Sequence, residues 1–389
     1  MRTRTILYTG KGGVGKTSVA ACTGRACASS GLRTLVISTD PAHSLSESLC
    51  EEVGGTPTRV SPRLWGQEVD AQAELERHWS GVQQWLAELL IERGVDRISA
   101  EELTVPPGMD ELFSLLRLQA QHRSGDWEVI VVDCAPTGET LRLLSFPDVA
   151  RWWIQKVFPL ERQILAAARP IAASVLDIPL PGHAVFADIH RLSENMIAMN
   201  EILRDHELCT VRLVMNPDKM VIGEAMRTFT YLNLYGYLAD AVVVNRVFPA
   251  EVGDYFAAWR TLQEEHLELV RSAFAPVPVL CAPYFEQEVV GGEMLDRLAT
   301  ALFAQHNPAA VLHDAPVQEI EMLDGGARLR LELPFSRKSE ISLKQRGLEL
   351  IVGVDGQRRT IALPTALAAR RATQASFEDG ALEVSFDAR

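Results

Sequence analysis

The sequence predicts an α/β protein with a doubly wound, mostly parallel sheet, helical insertions and a small C-terminal antiparallel β-sandwich. Three observations predict this fold. Short runs of β-branched residues alternate with longer helical patterns, a glycine-rich loop with two lysines follows the first run, and the apolar period becomes two near the end of the chain. The first two are typical of an open sheet with crossover helices, and the third of an all-β unit.

Six apolar runs predict the strands of the parallel sheet. All but the last are followed closely by polar, glycine or proline residues. Ligands of open α/β sheets bind outside the carboxyl ends of the strands, so we expect the functional site there. The runs are Thr5–Thr9, Thr34–Thr39, Glu128–Asp133, Val211–Met215, Ala241–Asn245 and Val277–Cys281.

Two long helical patterns, roughly 71–122 and 149–204, separate these strands and form the predicted helical subdomain. Both carry apolar stripes, including Trp79 and Trp85 in the first and Trp152–Phe158, Met196 and Met199 in the second. Such stripes usually pack into a core.

The pattern changes after about His313. Leucine and alanine alternate with charged residues in Ala327–Leu333, and similar short strands follow at Leu348–Val354, Arg359–Leu363 and Leu382–Phe386. This spacing predicts a small sandwich, with residues 1–312 and 317–389 as the two domains.

The composition of the chain argues against several classes of function. The net charge of −13 argues against a nucleic-acid partner. The six cysteines show no C-x-x-C pair or zinc-ligand spacing, which favours reduced thiols. The N-terminus shows no long apolar leader, and no apolar run reaches the roughly 18 residues of a membrane span, so we expect a cytoplasmic protein.

The glycine-rich loop satisfies the phosphate-loop pattern G-x-x-x-x-G-K-[ST] between a strand and a helical segment, the context of a P-loop NTPase. Backbone N–H groups and the helix N-terminus would bind phosphate, Lys16 would reach the β- and γ-phosphates, and the Thr17 hydroxyl would face Mg²⁺. The candidate binding residues are Gly10, Lys11, Gly12, Gly13, Val14, Gly15, Lys16, Thr17 and Ser18. The loop needs only one lysine for this, so Lys11 is unexplained by it.

Two aspartates end predicted strands. Asp133 follows four apolar residues and suits a water-mediated Mg²⁺ contact, although it could instead cap the next turn. Asp40 precedes a proline and could orient or deprotonate an attacking water, although an Asp-Pro turn is also common.

Three ordered motifs resemble the ATPases of the arsenical-pump and guided-entry tail-anchored-protein-targeting family, in the deviant Walker A class. They are GKGGVGKT, DPAHS (Asp40–Ser44) and DCAPTGETLRLL (Asp133–Leu144), and the resemblance covers roughly residues 1–310. It implies an ATPase that uses ATP/ADP and Mg²⁺. It also implies that Lys11 crosses a dimer interface to the partner's nucleotide, so the expected assembly is a homodimer.

The resemblance assigns roles to individual residues. Lys11, Lys16 and Asp40 would be catalytic, with Asp40 positioning the water. Thr17, Asp40 and Asp133 would surround Mg²⁺, the aspartates through water. The nucleoside would lie against Asn245, which would read adenine, against a covering loop and, with less support, against the Asn216–Met220 loop; these residues are Asn216, Asn245, Pro283, Tyr284 and Phe285.

The chain departs from the family in several ways. It has Glu139 where histidine is common, it lacks the zinc-binding C-x-x-C, and it has one phosphate loop where the pump ATPases commonly have two. Gly347–Pro364 and Ala375–Phe386 resemble an α-crystallin (small heat-shock protein) domain. That tail could bind substrate or simply stabilise a dimer.

Two functions remain open. The first is a homodimer whose nucleotide state opens and closes a groove for a hydrophobic client such as a membrane-protein segment, with a possible membrane receptor. The second is the ATPase subunit that energises an arsenite or antimonite efflux pump. The second needs converging thiolates, and the sequence shows no spaced cysteine set. A partitioning or cluster-scaffold ATPase is less supported, because a C-x-x-C is absent.

Overall fold

The computed structural model describes residues 2–40, 44–92, 96–97, 109–135, 183–323, 326–364, 367 and 370–388. Its largest element is an eight-stranded sheet with the order β3-β4-β2-β5-β1-β6-β7-β8. All neighbouring strands are parallel except β3 and β4, which are antiparallel. The strands are β1 (Arg4–Thr9), β2 (Thr34–Ser38), β3 (Thr58–Ser61), β4 (Leu64–Glu68), β5 (Val129–Asp133), β6 (Cys209–Met215), β7 (Ala239–Val247) and β8 (Val279–Pro283).

Helices cover both faces of this sheet and enclose one apolar core on each side. In the described ranges they are α1 (Lys16–Ser29), α2 (Ser44–Leu49), α3 (Ala71–Glu92), α4 (Met109–Ser124), α5 (His183–Leu203), α6 (Lys219–Tyr235), α7 (Ala257–Phe274) and α8 (Gly291–Phe303), with a 3₁₀ turn at Asp254–Phe256. The central strands are buried on both faces, which explains their unbroken β-branched runs. The predicted doubly wound fold class is confirmed.

All six predicted parallel strands are present, with ends that differ by at most two residues. The β3–β4 pair was not predicted. Its outer strand is short and half exposed, so it has no continuous apolar run, and β4 has a glycine and a glutamine at its buried centre.

The C-terminal residues form a sandwich of two antiparallel sheets, as predicted. One sheet has the order β14-β15-β10-β9 and the other β11-β12-β13. Alternate leucines and valines, such as Leu329, Leu331 and Val352, meet in a separate apolar core. The strands are β9 (Gln318–Leu323), β10 (Gly326–Glu332), β11 (Ile341–Arg346), β12 (Glu349–Val354), β13 (Gln357–Ala362), β14 (Arg370–Glu378) and β15 (Ala381–Ala388), with a 3₁₀ turn at Lys338–Glu340.

Helix α6 joins the sandwich to the parallel sheet. Leu234 at its C-terminal end is fully buried and belongs to the sandwich core. The Arg359 guanidinium donates to the Leu234 carbonyl at 2.6 Å, and the Tyr235 hydroxyl donates to Gln357 at 2.8 Å. A cation at a helix C-terminus satisfies a free carbonyl and interacts favourably with the helix dipole, so the sandwich caps α6.

A buried ion cluster joins β1, β6 and β7 to the segment before the sandwich. Asp240 Oδ1 accepts from Arg212 Nε at 3.2 Å, and its Oδ2 accepts from Arg4 Nη2 at 3.3 Å and from the Leu312 N–H at 3.1 Å. The same two arginines donate to the carbonyls of Ala309 and Ala310, each at 3.0 Å. These contacts fix the path of the chain between α8 and β9.

The predicted helical subdomain is only partly described. Helices α3, α4 and α5 lie within it and pack on one another, and Met196 and Met199 of α5 are buried in the core beside the parallel sheet. The Trp152–Phe158 stripe lies outside the described residues. Within the described part, no helix is both long and apolar enough to span a bilayer.

We expect Asp240→Asn to destabilise the protein by about 3–5 kcal/mol, because it leaves two buried guanidinium groups without a counter-charge. Guanidinium denaturation monitored by circular dichroism would measure the change. Glu383→Gln is the control, because it removes one of the two carboxylate partners of the partly exposed Arg330 and should cost less than about 1 kcal/mol. Equal costs for the two variants would contradict the structural importance of the cluster.

Candidate nucleotide-binding site

The phosphate loop lies against the carboxyl ends of β6 and β7. A Cβ on Gly10 would stand 2.1 Å from the Val214 carbonyl oxygen, and one on Gly15 would stand 2.3 Å from Asn245 Nδ2. Gly15 also has φ +91°, a left-handed conformation that glycine adopts without steric cost, and α1 begins at the next residue. Glycine is therefore required at both ends of the loop.

Helix α1 directs its N-terminus at the space above the loop, and its first turn contains no acidic residue. Its free N–H groups and the positive end of its dipole favour an anion at that position. Lys16 is 5% exposed, and its ammonium donates to the Lys11 carbonyl at 3.3 Å across the loop. The loop thus places a cation and a helix N-terminus around one small space, as phosphate binding requires.

The two lysines occupy different environments. Whereas Lys16 is buried in the loop, the Lys11 side chain is 42% exposed. Its ammonium lies 3.6 Å from Glu224 Oε2 on α6. Lys11 is therefore directed away from the space that Lys16 faces, toward the outside of the subunit.

The Thr17 hydroxyl is part of a polar cluster at the carboxyl ends of β2 and β5. It donates to Asp133 Oδ2 at 2.7 Å and lies 3.0 Å from the Ser44 hydroxyl, and Ser38 Oγ donates to the same carboxylate oxygen at 3.3 Å. Asp133 is fully buried, and its Oδ1 has no hydrogen-bond partner. Mg²⁺ in nucleotide sites usually keeps several waters and binds through one or two protein groups plus phosphates. A hydroxyl beside an unpartnered carboxylate oxygen fits that ligand set.

Burial raises the pKa of Asp133 from 3.8 to about 6, partly offset by the Thr17 hydrogen bond and by the positive charge of Lys16. Asp40 carries a nearby negative charge that raises the pKa further. A metal cation or its bound waters would favour the ionised form of Asp133.

Some residues of the predicted site lie outside the described part of the chain. The Asp40 N–H donates to Ser38 Oγ at 3.3 Å, which places this aspartate beside the Thr17–Asp133 cluster. Pro41 to His43 and residues 136–182, which include Glu139, lie outside the described residues. The role of Asp40 toward water stays a prediction.

Asn245 lines a cleft of about 610 Å³ beside the phosphate loop, together with other residues predicted to contact nucleotide. Its Nδ2 donates to the Val14 carbonyl at 2.9 Å, and its Oδ1 accepts the Arg246 N–H at 3.0 Å. The predicted residues in this cleft are Gly15, Ser18, Asn245, Pro283, Tyr284 and Phe285. The cleft suits a nucleoside that extends from phosphates held by the loop.

Asn216 lies in an adjoining cleft of about 330 Å³, and not in the one that contains Asn245. Arg246 and Tyr284 line both clefts, and aromatic side chains such as Phe248 and Trp259 line the second. Asn216 Oδ1 is buried and has no hydrogen-bond partner. The structure therefore places Asn216 beside the main cleft, across Arg246.

The sequence predicted no individual role for four side chains in this region: Ser38, Ser44, Glu224 and Arg246. Ser44 and Arg246 belong to segments expected at the site from their position after predicted strands, and Ser38 lies just before such a segment. Arg246 donates to the Gly13 carbonyl at 3.1 Å and so supports the loop. Glu224 is in the second turn of a helix, and its contact with Lys11 has no signal in the sequence.

The cysteines do not form a metal site in the described part of the chain. No group of three or more histidine, cysteine, aspartate or glutamate residues there could hold a metal ion. Burial raises the pKa of the thiols of Cys22, Cys27, Cys134 and Cys209, which disfavours the thiolate form.

Comparisons with known proteins agree with this geometry. Residues 3–304 match the model of the family "Anion-transporting ATPase", and residues 324–386 match "HSP20-like domain found in ArsA". The "Putative arsenical pump-driving ATPase 1" of Aquifex aeolicus is 37% identical over 375 residues, which is 94% of this chain and 95% of that protein.

Two further relatives extend the comparison. The "Putative arsenical pump-driving ATPase" of Chlorobaculum tepidum is 37% identical over 388 residues, which is 99% of this chain and 96% of that protein. The "ATPase GET3B" of Arabidopsis thaliana is 31% identical over 306 residues, or 72% of this chain and 74% of that protein.

We expect Asp133→Asn to stabilise the nucleotide-free protein at pH 7.5. A pKa raised from 3.8 to about 6 means that folding of the wild type is favoured while Asp133 is protonated, and that this advantage is lost as the pH rises through 6. The asparagine of the variant does not ionise. The free energy of unfolding of Asp133→Asn should therefore exceed that of the wild type by roughly 3 kcal/mol above pH 7, and this difference should vanish below about pH 4.

Urea denaturation in metal-free buffer at several pH values between 4 and 8 would measure this difference. Asp126→Asn, in the exposed turn before β5, makes the same chemical change without burial and should show no such pH dependence. A difference between wild type and Asp133→Asn that stays constant with pH would contradict the raised pKa.

Proposed function

This chain belongs to the anion-transporting ATPase family and is an ATPase, and from that premise we propose that it acts as a homodimer whose nucleotide state opens and closes a binding surface for a hydrophobic client. The observation that carries the proposal is the different placement of the two loop lysines. Lys16 is buried within the loop, while the side chain of Lys11 is 42% exposed on its outer side.

Within one subunit, the loop would bind the phosphates of ATP. The backbone N–H groups, the N-terminus of α1 and Lys16 supply positive potential, and the cleft containing Asn245 would hold the nucleoside. Thr17 and, through water, Asp133 would hold Mg²⁺, which when bound neutralises charge that develops on the phosphates.

Hydrolysis would then depend on residues at the surface of the site. Asp40 would orient the attacking water by accepting one of its hydrogen bonds. Lys11 of the second subunit would approach the phosphates from outside and stabilise the charge that builds up in the transition state, as preorganised cations do in phosphoryl transfer. ATP would therefore hold the two subunits together, and loss of the γ-phosphate would release them.

The client surface is proposed on the predicted helical subdomain, about 71–122 and 149–204, of which the structure describes helices α3, α4 and α5. Trp79 is half buried against the core, while Met196 and Met199 are buried in it. Client binding through these residues would thus require the helices to separate. Methionine suits such a surface because its side chain adapts to different shapes. Relatives named as ATPases, such as the "ATPase GET3B" of Arabidopsis thaliana, support the class of protein, and the client itself is part of the proposal.

The alternative is the ATPase subunit of an arsenite or antimonite pump. Its support is that relatives from Aquifex aeolicus and Chlorobaculum tepidum carry the name of a putative arsenical pump-driving ATPase. A soft metalloid would need several thiolates together, whereas burial raises the pKa of these thiols and so disfavours the thiolate, and no cluster of three or more potential ligands is found among the described residues. We therefore prefer the client hypothesis. Arsenite stimulation of ATPase activity, lost on cysteine replacement, would reverse this preference.

Replacement of the two lysines tests the proposal. We expect Lys11→Ala to retain ATP binding to the single subunit but to lose about 100-fold in turnover, along with nucleotide-dependent dimerisation, because its charge acts only across the interface. We expect Lys16→Ala to lose ATP binding itself. Titration with a fluorescent ATP analogue, steady-state hydrolysis and light scattering with a non-hydrolysable analogue would separate the two effects.

Lys344→Ala on the sandwich is the control and should resemble the wild type in all three measurements. Unchanged turnover and dimerisation in Lys11→Ala would rule out the proposed role of this lysine in a dimer.

A further inference from the structure

We propose that Glu224 is a positioning residue that holds Lys11 in its own subunit before nucleotide arrives, and so competes with the partner's nucleotide for this lysine. The inference rests on the proposed function, since it assumes that Lys11 acts across the dimer. The starting observation is the ion pair between Lys11 Nζ and Glu224 Oε2, at 3.6 Å.

The ion pair is at the outer side of the phosphate loop. The Lys11 and Glu224 side chains are 42% and 28% exposed, so water reaches both. Pairs of this kind are weak, because solvent screens the charges and the side chains lose freedom when they pair. A weak, accessible pair can exchange for a phosphate contact, which is what a crossing lysine needs.

Glu224 itself is carried by a well-anchored helix. At the N-terminal end of α6, His266 Nδ1 contacts the Pro217 carbonyl at 2.7 Å, just before the helix begins. At the other end, Tyr231 donates to Asp355 at 3.1 Å, and Tyr235 and the Leu234 carbonyl bind the sandwich. Because both ends of the helix are fixed, the position of the Glu224 backbone relative to the loop is fixed as well.

The carboxylate and the partner's phosphates would draw the same ammonium in opposite directions. In the nucleotide-free subunit the pair keeps Lys11 beside α6. When ATP joins two subunits, Lys11 must leave Glu224 to reach the partner's phosphates, so the energy of the pair opposes closure. A contact present in only one of two states shifts the equilibrium by the free energy of that contact.

Removal of the carboxylate should therefore favour the closed dimer. We expect Glu224→Gln to lower the ATP concentration that half-saturates turnover, and that which half-saturates dimerisation, by about 1.5- to 5-fold, the range given by an exposed ion pair. The maximal turnover should not change, because the pair is already broken in the closed state. Glu224→Asp keeps the charge on a shorter side chain, so its half-saturating ATP concentrations should lie between those of the wild type and Glu224→Gln.

Salt supplies a readout that a merely structural role would not give. Exposed charges are screened within about 3 Å at 1 M salt, so the difference between wild type and Glu224→Gln should shrink as NaCl is raised from 0.05 to roughly 1 M. Glu207→Gln is the matched control, because it breaks the exposed Arg2–Glu207 pair just before the amino ends of β1 and β6, opposite the phosphate loop. It should leave both half-saturation values unchanged.

The Lys11→Ala background separates this inference from the proposed function. If both are right, Lys11→Ala abolishes dimerisation, and adding Glu224→Gln leaves analogue binding to the single subunit unchanged. If Lys11→Ala alone has no effect, the dimer mechanism fails. If Lys11→Ala acts as expected but Glu224→Gln leaves the half-saturation values unchanged or raises them, the dimer mechanism stands and the role of Glu224 is wrong. Thermal denaturation verifies folding, and Glu224→Asp serves if Glu224→Gln is unstable.

Discussion

The close approach of the phosphate loop to two strand ends is the constraint on which the site depends. Gly10 leaves no room for a side chain against the Val214 carbonyl, and Gly15 leaves none against Asn245. Asn245 also accepts and donates hydrogen bonds that tie it to the loop and to the next residue of its strand. As a result, the phosphate end and the nucleoside end of the candidate site are parts of one rigid unit, set by the register of β1, β6 and β7.

Helix α6 connects this unit to the rest of the molecule. Its start lies beside Asn216 and the loop of Lys11, and its end forms part of the sandwich core through Leu234. The sandwich is therefore not a loosely attached addition, because it supplies the cation that satisfies the last carbonyls of the helix. One secondary-structure element is shared between the ATPase sheet and the C-terminal domain.

The parts of the fold that the sequence predicted are those with strong local patterns. The central parallel strands are buried on both faces, and β10, β12, β13 and β15 each bury side chains at every second position, so each was found from its own residues. The sandwich strands that were missed, β9, β11 and β14, lie at sheet edges and contain no fully buried side chain, so their apolar pattern is weaker.

The residues of the candidate site also differ in how far local sequence patterns predict them. Its loop and strand-end aspartates could be located from motif spacing, and the structure brings Lys16, Thr17 and Asp133 together as that spacing implies. The contacts of Lys11 with Glu224 and of Arg246 with Gly13 depend on how distant segments pack, which local periodicity does not contain. The separate cleft of Asn216 has the same origin, since it depends on where α7 lies against β7.

The ion cluster around Asp240 has a consequence for folding during synthesis. Arg4 belongs to β1, which precedes the other described strands in the chain and occupies a central place in the sheet. Its partners, Asp240 and the carbonyl of Ala309, are synthesised long after it. The nascent chain therefore carries an unpaired Arg4 until Asp240 has emerged, and β1 keeps one open edge until its second neighbour, β6, has been made.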